Sequence, residues 1–509
     1  MTVPGVNPPP EHEAFADKCD HVSYAMSYGI VASGAYVPRL RLERSAIAAA
    51  HRWMSAGGGA PKGCRAYCSW DEDAVTMAVE AGRGCILPDR PQRIRSLVLA
   101  STTLPYADLM NASIVAGALA LGDDIRLADA TGSQRAGLSA LIAALDGGVD
   151  DALLIASERP RAKPASQQEL GYGAGAAAIR LGSSNVVARA LGSASVFAPF
   201  VDHFRPSGGA YDLFWEERWI RDEGYAELAP RAALKALAAA GLSIGDIGHL
   251  VLPTPLRGGA ELVARKLGFV GVVADALEGD CGFCGAAHAL MMLALVLERA
   301  QPGQRILVLS FAQGVDALIL ETTDAIAAVR PTRSMTGALA DKIVGADYLR
   351  MLSFYDEIGL EWGMRADRPG RAALSEQYRS ADQLSSFMAG KCGRCGTLQF
   401  PQLAYCVNPS CGAPSSEFSA HSLVDEPARM VTVTADWLSY YPAPPLHVGF
   451  VQFEAGARLL MEVVGVGPEG LDVGAPLRIA FRIKERDKAR GYNRYFWKAT
   501  PNAATQGGP

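Results

Sequence analysis

The sequence has no apolar run long enough to cross a membrane and no excess of basic charge. Its most apolar stretch, AAHALMMLALVLERA from Ala286, is shorter than the roughly 20 residues of a membrane helix and contains His288. The formal net charge is −5, so no overall field attracts nucleic acid. The first residues, MTVPGVNPPPEHEAFADKCD, lack the charged and then apolar order of a signal peptide. We therefore expect a cytoplasmic protein that binds neither membranes nor nucleic acid.

Cysteine is too sparse for a secreted disulfide scaffold, with 10 cysteines among 509 residues. Four of them form the pattern Cys392-x2-Cys395-x10-Cys406-x4-Cys411. Two close pairs with this spacing can present four thiolates tetrahedrally to Zn²⁺, leaving no open position for water. The pattern predicts a structural zinc site that folds a small ribbon, the alternative being four buried thiols.

Length and patterning predict several domains with α/β architecture at the start. A chain of 509 residues exceeds what one hydrophobic core serves, and β-branched runs alternate with Ala-rich stretches over residues 29–325. The order of these segments repeats in two halves, which predicts a duplication. The strand candidates are IRSLVLAST (94–102), DALLIASE (151–158), IGHLVLPT (247–254) and RILVLSF (305–311). The helix candidates are AVTMAVEAG (74–82), RAGLSALIAALDG (135–147) and RAALKALAAAG (231–241).

The remainder of the chain divides into smaller units. Residues 1–28 are predicted to be a flexible lead, and residues 326–384 a helical linker in which ADKIVGADYLRMLSFYDEIGLEW (340–362) forms a connecting helix. Residues 385–415 form the zinc ribbon. Residues 416–509 are predicted to form a small OB-type β-barrel with a C-terminal tail. Its strand candidates are RMVTVTADWLSY (429–440), HVGFVQFEAG (447–456), ARLLMEVVGV (457–466) and PLRIAFRIKER (476–486).

Two further groups of residues are candidates for chemistry. Cys281 and Cys284 precede a helix whose N-terminal amides favour a thiolate, and His288 lies one turn into it as a candidate base. The alternative is a pair of small core residues and a capped histidine. In VDHFRPSGGAYDLFWEERWIRDEGY (201–225), His203 is an acid/base candidate and Arg205 an anion-binding candidate in an aromatic pocket. The alternative there is a satisfied surface loop.

Together these segments resemble known proteins. ELGYGAGAAAIRLG (169–182) with its GAGA-type run, the Arg-Pro pair at Arg205, and the turn at Gly279 followed by a helix and strand resemble the thiolase superfamily. The resemblance is to the 3-hydroxy-3-methylglutaryl-CoA synthase branch and its ketoacyl synthase III relatives. The stretch from KCGRCGTLQFP to YFWKATP resembles the DUF35 family, a zinc ribbon plus OB fold that partners thiolases. The resemblance implies a five-layered, duplicated α/β fold, coenzyme A substrates and a homodimer.

The sequence differs from the family at the positions of the family's catalytic residues. In ADATGSQRAGLSAL (128–141) the position of the family's nucleophilic cysteine holds Gln134, with Ser133 beside it. The family's acidic base falls near Thr102 and its catalytic histidine at or near Pro253. Without a thiol the covalent acyl-enzyme route has no obvious start, and Ser133 needs a neighbouring base. The Gln134 amide can instead donate to an acyl or enolate oxygen.

The resemblance and its departures lead to three hypotheses. The first is a CoA-dependent acyltransferase that makes or cleaves a carbon–carbon bond of a β-keto acid or β-ketoacyl-CoA by Claisen or retro-Claisen chemistry. Its relocated groups come from Cys281, Cys284, His288 and His203. The second is a noncovalent β-keto acid lyase or decarboxylase that uses Gln134. The third is a non-catalytic acyl-CoA-binding scaffold for a partner thiolase or thioesterase. RIKERDKARGYNR (482–494) either meets phosphates at the CoA entrance or is a solvated barrel edge.

Overall fold

The computed structural model describes residues 28–54, 61–86, 94–366 and 373–502. The predicted lead therefore lies, except for Tyr28, outside the described residues. The first half contains β1 (Gly29–Tyr36), β2 (Leu40–Glu43), β3 (Cys64–Ala66), β4 (Ser96–Ala100), β5 (Arg126–Ala130), β6 (Ala152–Glu158) and β7 (Gly175–Gly182). Its helices are α1 (Arg44–Ala50), α2 (Ala74–Gly82), α3 (Asn111–Ala118), α4 (Ala136–Gly147) and α5 (Gln167–Gly171).

The second half repeats this succession of strands and helices. Its strands are β8 (Ala188–Phe197), β9 (His203–Phe204), β10 (Leu213–Phe214), β11 (His249–Val251), β12 (Val272–Val273), β13 (Arg305–Phe311) and β14 (Gly314–Thr322). Its helices are α6 (Glu217–Trp219), continued by a π-helical segment over Ile220–Leu228, α7 (Ala229–Ala240), α8 (Gly259–Leu267) and α9 (Gly285–Arg299).

Sheet topology confirms the predicted duplication. The large sheet has the order β12-β11-β13-β14-β8-β1-β7-β6-β4-β5. When the five strands that each half contributes are numbered in chain order, both halves have the order 3-2-4-5-1. The halves meet where β1 pairs with β8, through Ile30 and Ala188. Parallel strands joined through helices place the ends of β4, β5 and β6 at one edge of the first half.

The strands of the large sheet are apolar on both faces, so helices cover the sheet on both sides. In β6, Leu154 packs in the central core with α4 and α9, whereas Leu153 and Ile155 pack outward with α2 and α3. In β13, Val308 faces the central core and Leu307 faces α7 and α8. Because side chains alternate along a strand, each half-sheet lies between two helical layers. The result is the five-layered fold that the resemblance implied.

The linker differs from the prediction. Residues 340–362 do not form one connecting helix; they contain the end of α10 (Met335–Ala340), β15 (Ile343–Gly345) and α11 (Tyr348–Phe354). β15 pairs in parallel with β2, which starts with Ile343 opposite Leu40. The pairing of β15 with the edge of β2 therefore takes the place of part of the predicted connecting helix. Two short helices, α12 (Leu374–Arg379) and α13 (Ala381–Leu384), precede the ribbon.

The C-terminal part contains the predicted ribbon and barrel. The ribbon strands are β16 (Met388–Cys392), β17 (Leu398–Gln399) and β18 (Phe418–Ser422). The barrel strands are β19 (Ala428–Met430), β20 (Thr434–Asp436), β21 (Leu446–Phe453), β22 (Arg458–Val463), β23 (Pro476–Asp487) and β24 (Tyr492–Pro501). The order β19-β23-β24-β22-β21 closes through the β19–β21 pairing, and β22 runs parallel to β24. This is the OB connectivity.

One predicted barrel strand is divided in two. The stretch at 429–440 forms β19 and β20, which both pair with β21 and are separated by three residues around Thr432. A Cβ on Gly449 of β21 would lie 1.8 Å from the Thr432 carbonyl oxygen. The chain therefore crosses directly over Gly449, and this crossing requires glycine.

The barrel packs on the outer face of the first half through a buried ion cluster. Glu80 of α2 is fully buried and lies within ion-pair distance of Arg83, Arg333 and Arg478. Its Oε1 also accepts a hydrogen bond from the Phe481 backbone N–H at 3.0 Å. Although burial alone would raise it, the guanidinium of Arg83, with its neighbours, holds the pKa of Glu80 at about 2. The α2–α3 layer and the barrel therefore share one core.

Candidate active site

The turn after β5 has the conformation of a tight strand-to-helix connection. Gly132 has a φ of +91°, a region that favours glycine, and α4 begins at Ala136. Gln134 is buried, with 7% exposure. The Ser133 hydroxyl lies 3.4 Å from the Ala312 carbonyl oxygen and 3.3 Å from Gln313 Oε1. Neither oxygen is a base that would activate Ser133.

A series of polar contacts starts beside Gln134. The Gln134 side chain lies near the Tyr172 hydroxyl, which donates to Asp212 Oδ2 at 3.1 Å. Asp212 pairs with Arg205, and the other arm of Arg205 donates to the Thr102 carbonyl oxygen. Arg205, predicted to bind an anion of the cofactor, therefore has an internal carboxylate partner. Its guanidinium ties the hairpin of β9 and β10 to the end of β4.

Glu158, the last residue of β6, places a fully buried carboxyl group beside Thr102. Glu158 Oε2 accepts a hydrogen bond from the Thr102 backbone N–H at 2.8 Å, and Oε1 contacts the Thr103 hydroxyl. Burial raises the pKa of Glu158 and outweighs the hydrogen bonds from Thr103 and Thr102, which lower it. A raised pKa keeps a carboxyl group protonated to a higher pH than usual, which suits proton transfer. Strand β6 thus supplies a carboxyl group next to Thr102, the residue that stands near the position of the family's acidic base.

The sequence interpretation did not include Glu158, although a signal for it exists. Leu154 and Ala156 face the central core, and alternation places Glu158 on the same face. Parallel pairing sets Ala156 opposite Ala100, so Glu158 is level with Thr102. Glu158 lies two residues beyond Ala156, on the inward face of a buried strand. A charged residue at such a position is the signal in the sequence that could have identified the site.

His203 forms a pair with Asp202, and Gln313 connects this pair to Ser133. The distance between His203 Nδ1 and Asp202 Oδ2 is 2.5 Å, and Gln313 Nε2 donates to Asp202 Oδ1 at 2.8 Å. The imidazole stacks on Phe214 with centroids 5.3 Å apart. Phe214 in turn lies 6.1 Å from the Tyr172 ring. His203 therefore pairs with Asp202 and shares an aromatic wall with Tyr172, which lies near Gln134.

Pro253, where the family's histidine is missing, contacts a buried tyrosine. The Tyr225 hydroxyl is 3.5 Å from the Pro253 carbonyl oxygen. Burial raises the pKa of Tyr225.

Cys281, Cys284 and His288 lie together at the start of α9, but in a closed arrangement. Both sulfurs are fully buried, and each lies 3.3 Å from the Gly282 carbonyl oxygen. Burial raises the pKa of Cys284 well above its usual range, which disfavours a thiolate. His288 Nδ1 accepts from the Cys284 backbone N–H at 2.9 Å, and Nε2 lies 2.8 Å from the Ala276 carbonyl oxygen. With both ring nitrogens occupied, His288 caps the helix.

Because His288 is buried, we expect the free energy of unfolding to decrease in acid. Burial lowers its pKa from 6.5 to about 4, so the unfolded chain takes up the proton first as the pH falls. The neutral ring's contribution is complete above pH 6.5 and is lost as the pH falls toward the folded pKa. Urea unfolding between pH 7 and pH 4 should show a loss of about 3 kcal/mol relative to His288→Gln. Parallel pH profiles for the two proteins would contradict this assignment.

The four ribbon cysteines converge on one point. Their sulfurs all lie within 4.8 Å of one another. The Cys392–Cys411 distance is 3.8 Å and the Cys395–Cys406 distance is 3.5 Å. A tetrahedral zinc ion with Zn–S bonds of about 2.3 Å separates its sulfurs by about 3.8 Å. The donor set and its spacing therefore fit a structural Zn²⁺.

The basic stretch at 482–494 lies on the hairpin of β23 and β24 with most of its cations paired. Lys484 contacts Glu462, and Arg486 lies 2.9 Å from Asp356. The ion pair of Arg494 with Glu485 is 3.2 Å long. These pairs account for much of the local positive charge.

None of the helices within the described ranges combines the length and apolar character needed to cross a membrane.

Two parts of the chain are similar to known proteins. The hydroxymethylglutaryl-CoA synthase of Thermococcus onnurineus is 30% identical over 310 residues, which cover 58% of this chain and 87% of the relative. The corresponding enzyme of Caldivirga maquilingensis is 29% identical over 351 residues, covering 65% of this chain and 97% of the relative. A family model described as "ChsH2, rubredoxin-like zinc ribbon domain" matches residues 379–417.

Solved structures share the fold of the first part of the chain. "MvaS in complex with 3-hydroxy-3-methylglutaryl coenzyme A" aligns with a TM-score of 0.55 and 20% identity, covering 64% of this chain and 91% of that protein. 3-Oxoacyl-[acyl-carrier-protein] synthase III from Aquifex aeolicus aligns with a TM-score of 0.51 and 17% identity, covering 58% and 99%. At these identities the similarity concerns the fold.

Proposed function

Because the chain belongs to the hydroxymethylglutaryl-CoA synthase family, we propose that it makes or cleaves a carbon–carbon bond next to an acyl-CoA carbonyl without a covalent acyl-enzyme. The observation that carries this proposal is the buried Glu158 carboxyl group beside Thr102. It provides proton chemistry in a cleft whose nucleophile position holds Gln134. The substrate class is a β-keto acid or β-ketoacyl-CoA, and the reaction is of the Claisen or retro-Claisen type.

In this proposal Gln134 polarises the reacting carbonyl group. An amide has two N–H groups, so one can face the nearby Tyr172 hydroxyl while the other donates to the carbonyl or enolate oxygen. The α4 N-terminus begins two residues later and adds a favourable field for negative charge. A donor aimed at developing charge in a buried site contributes strongly to catalysis.

Glu158 and His203 divide the proton transfers. The raised pKa of Glu158 suits a group that protonates the enolate carbon on cleavage, or removes that proton in condensation. Asp202 holds Nδ1 of His203, which leaves Nε2 as the proton acceptor. His203 then accepts the proton from the thiol of coenzyme A, or from water, that attacks the second carbonyl.

A covalent route has less support. Ser133 contacts a backbone carbonyl group and an amide oxygen, and a hydroxyl group without a base is a poor nucleophile. Cys281 and Cys284 are buried, and burial raises the pKa of Cys284 well above its usual range, which disfavours a nucleophilic thiolate. We therefore assign the thiols to packing and retain Gln134, Glu158 and His203 as the reacting groups.

A second function, decarboxylation of a β-keto acid, is supported by the same pair of groups. Loss of CO₂ leaves an enolate, which needs a hydrogen-bond donor at oxygen and an acid at carbon. Gln134 and a protonated Glu158 provide these two groups. Release of CO₂ without added coenzyme A would favour this function, whereas thiolysis that depends on coenzyme A would favour the first.

The test combines turnover with intact mass. We expect a β-ketoacyl-CoA to be cleaved by the wild-type protein with coenzyme A and no acyl adduct on the protein. Gln134→Cys restores the family's thiol and is expected to gain one acyl group from acetyl-CoA. Gln134→Ser is the matched control and should gain none. An acyl adduct on the wild-type protein would contradict the noncovalent route, and activity seen only with a partner thiolase would favour a scaffold.

A further inference from the structure

The turn between β13 and β14 holds a glutamine in a backbone conformation that favours glycine. Gln313 has a φ of +51°, and Gly314 after it has a φ of +124°. Side chains with a Cβ are uncommon in the left-handed region, because Cβ crowds the following carbonyl oxygen. The Ala312 N–H donates to the Gly314 carbonyl oxygen at 3.0 Å and closes the turn. A strained residue of this kind persists where the surrounding structure holds it in place.

The side-chain amide of Gln313 uses each of its hydrogen-bonding groups. Nε2 donates to Asp202 Oδ1 at 2.8 Å and to the His203 carbonyl oxygen at 3.0 Å, and Oε1 lies 3.3 Å from the Ser133 hydroxyl. An ionised carboxylate and a carbonyl oxygen are acceptors only, so the NH₂ group must face them, which fixes the orientation of the amide. Gln313 therefore joins the turn after β5 in the first half to the acid–histidine pair of the second half.

The contacts with Gln313 hold the carboxylate of Asp202 in one orientation. Oδ1 accepts the hydrogen bond from Gln313 Nε2 and a second one from the Gln313 backbone N–H at 3.1 Å. Oδ2 lies 2.5 Å from His203 Nδ1. Asp202 is 5% exposed, so water has little access to compete for either oxygen. Because one residue engages Oδ1 twice, Oδ2 is the oxygen that faces the imidazole.

We propose that Gln313 is a positioning residue that sets the tautomer and orientation of His203 through Asp202. A carboxylate at Nδ1 keeps the proton on that nitrogen and leaves Nε2 as the proton acceptor. The contact with Ser133 ties this arrangement to the turn that carries Gln134. The hydrogen-bond donor and the base then keep a fixed spacing, which the reaction requires. The effect on turnover rests on the proposed function, whereas the effect on the imidazole does not.

The tautomer of His203 is measured directly by ¹⁵N NMR of the full chain with labelled histidines. His203→Gln identifies the signal among the eight histidines, and a mildly alkaline pH keeps the ring neutral. We expect the wild type to carry the proton on Nδ1. Gln313→Gly removes the amide and suits the left-handed backbone, whereas Gln313→Glu keeps the size but places an oxygen against Asp202. Both variants should move the signal toward a mixture of the two tautomers.

Turnover is measured on the same variants. The kcat for a β-ketoacyl-CoA should fall about 10–100-fold in both Gln313 variants with KM little changed, because a misplaced base slows the chemistry while the substrate still binds. Gln301→Glu makes the same change at an exposed position between α9 and β13. This matched control should keep both the His203 signal and the turnover of the wild type.

The two readouts separate this proposal from the proposed function. An unchanged His203 signal in both Gln313 variants would overturn the positioning role, and so would a wild-type ring with its proton on Nε2. A purely structural glutamine would lower the thermal midpoint of Gln313→Gly without moving the signal. Full turnover with an altered tautomer would support the positioning role and contradict the part of His203 in the proposed reaction.

Discussion

Glu158→Gln is expected to lower the turnover of a β-ketoacyl-CoA by about 10²–10⁴-fold, the usual contribution of a general acid or base. Glutamine keeps the size of the side chain and can still accept from the Thr102 N–H, but it cannot transfer a proton. The effect should appear in kcat, because the substrate still binds. Glu321→Gln, in β14 of the second half of the large sheet, is a control that should retain activity.

The same variant is expected to be more stable than the wild type at alkaline pH. The folded pKa of Glu158 is raised, so between the unfolded value and the folded value the folded state binds more protons. Stability therefore falls as the pH rises through this window, and glutamine removes that loss. Thermal unfolding at pH 8 should show a higher midpoint for Glu158→Gln, with little difference near pH 4.5. A variant that keeps full turnover would refute the catalytic role, whatever its stability.

Removal of zinc is expected to unfold the ribbon while the two α/β halves persist. The ribbon's core consists of Cys392, Cys406 and Ala413, with Cys411 and Phe418 partly buried, so it has almost no apolar core of its own. Zinc binding by such units is worth about 10–16 kcal/mol in peptides, which matches or exceeds the whole stability of a typical domain. Losing it removes what holds the ribbon together.

The measurement is limited proteolysis after treatment with a chelator, alongside metal analysis. We expect one zinc per chain before treatment, and afterwards new cleavage confined to residues 388–422. Cys392→Ser should reproduce the cleavage without a chelator. Cys64→Ser, which changes a cysteine far from the cluster, should behave as the wild type does. A metal-free chain that resists cleavage there would show that packing alone holds the ribbon.

The sequence predicted the layers, the duplication and the zinc ribbon because each rests on local patterns. The run RILVLSF is apolar on both faces and forms β13 with the predicted bounds. The predicted helix over 340–362 failed because β15 gains backbone hydrogen bonds from the edge of β2, which no local pattern reveals. The division of the predicted strand at Thr432 likewise depends on a contact with another strand, because Thr432 lies directly against Gly449 of β21.

The candidate site was less predictable, because its groups come together only through strand register. The departures at Thr102, Gln134 and Pro253 were evident from the sequence. Glu158 belongs to a different segment and meets Thr102 only because β4 and β6 pair in parallel. The closed hydrogen bonding of His288 likewise depends on the Ala276 carbonyl group, which a loop brings to the ring.

The core shared by α2, α3 and the barrel has a consequence for biosynthesis. Glu80 and its partner Phe481 are 401 residues apart, so the outer face of the first half emerges from the ribosome long before its cover. At about 5–20 residues per second, this delay lasts on the order of 20–80 s. During that time the apolar layer formed by α2 and α3 lacks the barrel that covers it, and Glu80 has Arg83 and later Arg333, but not Arg478, as partners. The outer core of the first half is therefore complete only after the barrel has folded onto it.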